Sequence, residues 1–320
     1  MKDARLTFST DLPGDEPLEW VGAIEQIAED FGYFEPLGPQ HYAAFLDAGR
    51  KLLVTFENAE TVRATLPDAE PRGFAFARRE GWSHLGLFSE GESWFRDGHV
   101  YRFFDRLVDD GFFEDFDQVL FHGAHAAGYA AAAFSVAAPG ARVLAIRPQA
   151  TLDARVAGWD TRYLAQRRLS FTDRYGYAPE MIDAAERAYV VFNPAQRFDA
   201  MHAALFTRRH VTMLRADGLG WRLDAAFDSL DIHDSLIRDA MWGELTPARF
   251  GRLIRGRKGM ASYQRNLLKR ARDKGHPVLA ATLCASILSR KPDSFFEAEL
   301  ETLMQAGYAP LGASQASAAE

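Results

Sequence analysis

The sequence predicts an α/β fold: a mostly parallel sheet with flanking helices, followed by an all-helical C-terminal appendage. Three observations carry that expectation. Residues 118–153 open with the apolar run Val119-Leu120-Phe121 and turn through small residues, Gly123 to Gly128. They continue in an Ala-rich stretch with good helix propensity, stop at Pro139-Gly140, and end in a second apolar run, Val143 to Ile146. This strand–turn–helix–strand unit is the repeating piece of a parallel sheet. Second, other short apolar runs stand along the chain before 245, at 51–56, 82–88, 188–192 and 210–214. Third, the pattern beyond 246 has helical spacing throughout, punctuated by Gly and Pro.

Composition limits the function classes. A length of 320 residues with 48% hydrophobic and 12% aromatic content suffices for a sizeable core. No apolar run reaches the ~18–20 residues of a membrane span, and the first residues lack the apolar core of a secretory signal. Cys284 is the one cysteine, which excludes an intrachain disulfide and a Cys-based zinc cluster. A net charge of −7 argues against a nucleic-acid binder. The expectation is a cytoplasmic protein with no membrane attachment. The charge is uneven, since 246–276 holds ten basic residues against one acid, Asp273.

Taken in order, residues 1–17 read as a loose arm. Trp20, Ile24, Ile27 and Phe31 fall on one face of a helix over 19–31, stopped by Gly32. Runs 41–46 and 51–56 flank Asp47-Ala48-Gly49, a hairpin signal, and the second is apolar enough to be central in a sheet. Residues 73–77 and 82–88 read as strands, and 100–108 as a helix. After the central unit, 154–186 reads as an irregular insertion over the strand ends. A strand at 188–192, a helix at 199–206 and a last strand at 210–214 complete the sheet. Four helices follow, at 248–255, 262–274, 277–289 and 294–306, with Phe295, Leu300 and Leu303 expected against Val278, Leu283 and Leu288. The expected domains are 1–245, a helical appendage at 246–308 and a disordered tail at 309–320.

The turn from Gly123 to Gly128-Tyr129 and the helix after it resemble the α/β-hydrolase superfamily, in particular its bacterial branch with a G-x-S-x-G-G-Y-type elbow. Trp94-Phe95 before the preceding helix, Pro148-Gln149 after the next strand, and Asp199 after a later one are similar to features of that branch. The resemblance covers about 40–225. It implies a nucleophile elbow, a crowded strand-to-helix turn that lifts one side chain above the sheet. Here His125 occupies the nucleophile position, so no acyl-serine can form there. The resemblance puts the acid at Asp199. The turn that would carry the family's histidine reads Gly218-Leu219-Gly220-Trp221. Two of three triad positions are changed.

Three readings of His125 stay open: a general base activating water and oriented by Asp199, a contact for an anionic ligand aided by the following helix N-terminus, and an inert replacement. Candidate binding residues are Asn58, His84, Trp94, Phe95, Ala126, Gln149 and Trp221, with backbone N–H groups near Asn58 and Ala126 as oxyanion donors. Arg162, Arg167 and Arg168 are candidates to clamp a carboxylate or phosphate, against the alternative of a solvated basic loop. His122 reads as a satisfied strand-end histidine. No Rossmann G-x-G-x-x-G, no G-x-x-x-x-G-K-[ST] loop and no metal-ligand spacing is present. No cofactor and no metal are expected. The functional expectation is an atypical ester hydrolase or acyl-transfer enzyme lacking the serine nucleophile. The alternative is an inactive relative that binds a small molecule, or a protein partner through the basic helical region.

Overall fold

The computed structural model describes residues 6–8 and 12–312. Part of the expected N-terminal arm and most of the 309–320 tail therefore lie outside the described residues. The described residues form two compact units, one reaching to Asp217 and resuming over Trp221–Ile254, the other made of Gly218–Gly220 and the residues from Arg255 on.

The first unit is built on eight strands: β1 (Gly32–Pro36), β2 (His41–Leu46), β3 (Lys51–Asn58), β4 (Ser83–Ser89), β5 (Gln118–Ala124), β6 (Arg142–Ile146), β7 (Arg187–Phe192) and β8 (Val211–Arg215). Their order in the sheet is β1-β2-β4-β3-β5-β6-β7-β8. β1 and β2 are antiparallel to their neighbours, and every pairing from β4 to β8 is parallel. The chain thus has an α/β-hydrolase-like fold. The helices are α1 (Pro17–Phe31), α2 (Ala59–Thr65), α3 (Arg72–Glu80), α4 (Gly98–Asp109), α5 (Ala126–Phe134), α6 (Ala154–Ala157), α7 (Ala178–Met181), α8 (Arg197–Leu205), α9 (Leu223–Ser229), α10 (His233–Met241) and α11 (Pro247–Leu253).

The strands are apolar on both faces because helices cover both. On one face Phe56, Phe121, Val143 and Val190 pack with Phe104 of α4, Phe134 of α5 and Phe206 after α8. On the other, Tyr42, Ala44 and Phe88 meet Trp20 and Ile24 of α1 and Phe74 and Ala77 of α3. Each large buried side chain contributes roughly 1.5–3 kcal/mol. The two-residue period of β5 sends Phe121 to the α5 face and turns His122 toward His233 of α10.

Two local expectations are corrected. Residues 41–46 and 51–56 do not form a hairpin, since β4 lies between β2 and β3. Residues 73–77 are not a strand but the core-facing part of α3, where Gly73, Phe74, Phe76 and Ala77 are all buried. Arg78 and Arg79 in its last turn and the left-handed Gly81 (φ 68°) are helix-end signals that outweigh the Phe-Ala-Phe-Ala alternation.

The second unit contains α12 (Ala261–Asp273), α13 (Pro277–Leu288) and α14 (Ser294–Gln305), around Leu268, Ala280, Cys284, Ile287, Phe296 and Leu303. Phe296, rather than the expected Phe295, enters this core. The boundary falls after Ile254, not after 245. α11 stays with the sheet because Phe250 meets Phe227 edge-on at 6.0 Å and Arg249 pairs with the buried Asp239. No helix among the described residues is long and apolar enough to cross a membrane.

Candidate active site

β5 ends in a turn that only small residues permit. A Cβ at Gly123 would come within 2.3 Å of the Ala127 carbonyl oxygen, and one at Gly128 within 3.0 Å of the Ile146 oxygen. The backbone at His125 has φ 60° and ψ −121°, a region that non-glycine residues rarely enter. Its N–H donates to the Ile146 carbonyl at 2.8 Å, tying the turn to the end of β6. Such a conformation costs on the order of 1–3 kcal/mol and persists where its surroundings enforce it. The first N–H groups of α5, from Ala126 onward, have no carbonyl one turn back to bond.

His125 lines a cleft of about 850 Å³ above the strand ends, together with Asn58, Trp94, Phe95, Ala126, Arg147, Arg162, Tyr163 and Trp221. Its Nε2 lies 2.6 Å from the Tyr163 hydroxyl. Trp94 stands edge-on to both rings, at 5.5 Å from His125 and 5.1 Å from Tyr163. Burial, with the Arg147 and Arg162 charges behind it, lowers the imidazole to a pKa of about 3, so it is neutral near pH 7. Burial likewise raises the Tyr163 hydroxyl. Trp94 and Phe95 hold φ of 51° and 55°, in a turn where the Phe95 N–H donates to Ser93 Oγ at 3.1 Å.

The insertion supplies a buried charge network behind the cleft. Arg162 donates to both oxygens of Asp160, and to Asp199 Oδ1 at 2.6 Å. His202 Nδ1 accepts from the Ala150 N–H at 3.1 Å, so its Nε2 carries the proton and donates to Asp160 at 3.0 Å. Burial works to raise the Asp160 carboxyl, but the His202 and Arg162 bonds outweigh it and hold the group well below its usual range. Arg147 follows β6 with φ 51°, is 9% exposed, and stacks on the Trp221 ring at 5.4 Å.

Several expected site residues take other places. Asp199 does not orient His125: it is 2% exposed, serves Arg162, and does not line the cleft. His84 is fully buried under α3 with Nε2 2.8 Å from Thr55 Oγ1, and burial lowers it to about 3. Gln149 is also fully buried, its amide turned back to the Arg147 carbonyl at 3.3 Å. Asn58 lies at the cleft but caps α2, accepting from the Thr61 N–H at 2.8 Å. Trp221 stands at the rim, 59% exposed. Arg167 is spent on the carbonyls of Ala157, Gly158 and Asp160. Sequence reasoning missed Tyr163 and Arg147. The first lay within a stretch read only as irregular, and nothing in Ile146-Arg147-Pro148 announces a left-handed residue.

The cleft has a second polar wall, made of Glu57, Arg72, His122, Asp228 and His233. His122 Nδ1 lies 3.0 Å from the Leu144 carbonyl, His122 Nε2 lies 3.1 Å from His233 Nε2, and His233 Nδ1 lies 2.9 Å from Asp228. Three contacts need three protons, and two neutral imidazoles supply two. A third proton on either ring completes the set. Burial opposes it, and holds His122 well below its ordinary range. Arg72 closes the cluster, donating to Asp228 at 2.7 Å and to Asp234 at 3.1 Å. Among the described residues no group of His, Cys, Asp and Glu is arranged to hold a metal ion.

No family model and no curated protein matches the chain. Solved structures do. A glycosylation-associated protein (Gap123) complex from Streptococcus agalactiae aligns at 14% identity and TM-score 0.42, over 62% of this chain and 44% of that one. This chain thus spans less than half the length of that protein. An esterase from Pyrobaculum calidifontis aligns at 12% identity and TM-score 0.40, over 77% of this chain and 93% of that one. The capsule O-acetyltransferase of Neisseria meningitidis serogroup A aligns at 9% identity and TM-score 0.36, over 62% and 91%. The α/β-hydrolase-like assignment stands on the strand order and the geometry of the elbow.

Proposed function

We propose that the chain hydrolyses an ester-like bond by base chemistry at His125, without a covalent acyl-serine stage. The observation that supports this reading is the strained His125 backbone, φ 60° and ψ −121°, at the turn where the resemblance would put a nucleophilic hydroxyl. A strained turn with no task would be relieved at little cost by another residue or another turn.

In the proposed sequence a water takes the position near Nε2 that the Tyr163 hydroxyl holds, 2.6 Å away. His125 Nε2 accepts a proton from that water as its oxygen adds to the ester carbonyl. The resulting oxyanion meets the Ala126 N–H and the N–H groups of the β3–α2 turn. Collapse breaks the carbon–oxygen bond to the leaving alcohol, and the imidazolium returns its proton to that oxygen. The products are an acid and an alcohol, and the enzyme is regenerated.

A second reading, ligand binding without turnover, draws on the depressed basicity of His125, since a general base works best with a pKa near the working pH. A panel of p-nitrophenyl and acetylated-sugar esters separates the two. Turnover by the wild-type protein, with no labelling of the elbow by a serine-directed fluorophosphonate, is the expected result. Absence of turnover across the panel favours the binding reading, and labelling at the elbow would contradict both.

A further inference from the structure

We propose that the cleft recognises its substrate through an oxyanion, a carboxylate or phosphate, seated on the Arg147 guanidinium beside the first turn of α5. Arg147 is 9% exposed and faces the cleft, yet its guanidinium makes no hydrogen bond among the described residues. Its charge partner, Asp199 Oδ2, stands 4.0 Å away, beyond hydrogen-bonding distance, and that oxygen is itself buried without a hydrogen bond. Arg162, by contrast, is spent on Asp160 and Asp199. The fork is held almost wholly within the protein, and its free donors open into the cleft. Carboxylate and phosphate are the groups whose geometry matches that fork.

The surroundings fit the same class of ligand. Arg147 and His125 sit at the ends of neighbouring strands, joined through the His125 N–H to Ile146. The unbonded N–H groups at the start of α5, a nine-residue helix, line the same space and favour negative charge. Trp221 packs against the Arg147 guanidinium at 5.4 Å. Phe56, Trp94 and Phe95 offer the remainder of the ligand an apolar wall.

An anion site here deepens the hydrolytic reading, and its catalytic consequence rests on that reading. The Arg147 and Arg162 charges help hold the His125 imidazole neutral. An anion on Arg147 offsets the first of them and makes His125 a stronger base. A substrate carrying its own negative charge would then switch on the group that attacks it, and a neutral ester would not.

The test is a binding titration and does not require turnover. Calorimetric titration with inorganic phosphate and with succinate, and with neutral succinamide as control, is run on wild type, Arg147→Gln, Arg147→Lys and the exposed control Arg155→Gln. Wild type is expected to bind phosphate or succinate at millimolar concentration, and which of the two binds tighter identifies the oxyanion. Arg147→Gln should weaken that binding about tenfold or more, and Arg147→Lys several-fold, with Arg155→Gln unchanged. Should Arg147→Gln fail to fold, Arg147→Lys decides. Equal affinity in the Arg147 variants and wild type, or no preference for the anions over succinamide, would overturn the assignment. If binding behaves as expected while no ester is turned over, the site stands and the hydrolytic reading falls.

Discussion

His125 and Arg147 end adjacent strands with φ of 60° and 51°, and both aim their side chains into one cleft. The first was legible in the sequence because the crowding of the turn demands small neighbours, and Gly123 and Gly128 write that demand into the chain. The second was not, because left-handed backbone at an arginine leaves no compositional trace. The partner of His125 was misjudged for a related reason. Asp199 is near the right strand end, but Arg162 reaches it from the insertion, across 37 positions of sequence. At this scale Gly123→Ala tests the turn directly. Its methyl would press on a backbone oxygen that cannot move without shifting α5. A loss of about 1–3 kcal/mol in urea unfolding is expected, and a neutral substitution would mean the turn is looser than its contacts require.

The elements legible from periodicity are those with one unambiguous signal. β5, α5 and β6 alternate apolar runs with turn residues, and all three appear near their expected bounds. The segment 73–77 failed because the short Phe-Ala-Phe-Ala alternation fits either period, and the helix-end signals that decide it, Arg78, Arg79 and Gly81, lie just beyond the segment. The β2–β3 hairpin failed because adjacency in sequence was taken for adjacency in the sheet, and the crossover through α2 and α3 carries no local mark. The insertion over 154–186 was read as irregular; its order comes from buried charge, not periodicity. Asp160 is its anchor, accepting from Arg162 and His202 at once. Asp160→Ala leaves Arg162 and His202 without that partner and should cost about 3–5 kcal/mol. Thermal unfolding would register the loss, and an unchanged midpoint would show that the insertion is held by other contacts.

Over the whole molecule, buried histidines couple stability to pH. Burial lowers His41 to about 4, and His84 and His125 to about 3. The unfolded chain takes up protons at these positions from about pH 6.5, before the folded protein does. Stability contributed by the neutral rings is complete above that pH and is lost as pH falls toward 3–4. Denaturant midpoints should therefore be level above pH 7 and decline below 6.5. His84→Gln should flatten the decline by one proton, about 1.4 kcal/mol per pH unit, and an identical slope in that variant would place the titration elsewhere. The basic stretch puts a boundary near 246, whereas the compact units divide after Ile254. Charge marks where composition changes, whereas Phe250 on Phe227 marks where packing ends.

The proposed chemistry turns on the imidazole at the elbow, and the comparison of wild type with His125→Ala in steady-state ester hydrolysis tests it most directly. With folding retained by circular dichroism, the variant is expected to lose roughly 100-fold or more in kcat/KM, the lower bound for removal of a general base. A variant that hydrolyses the same ester at the wild-type rate would contradict the central claim.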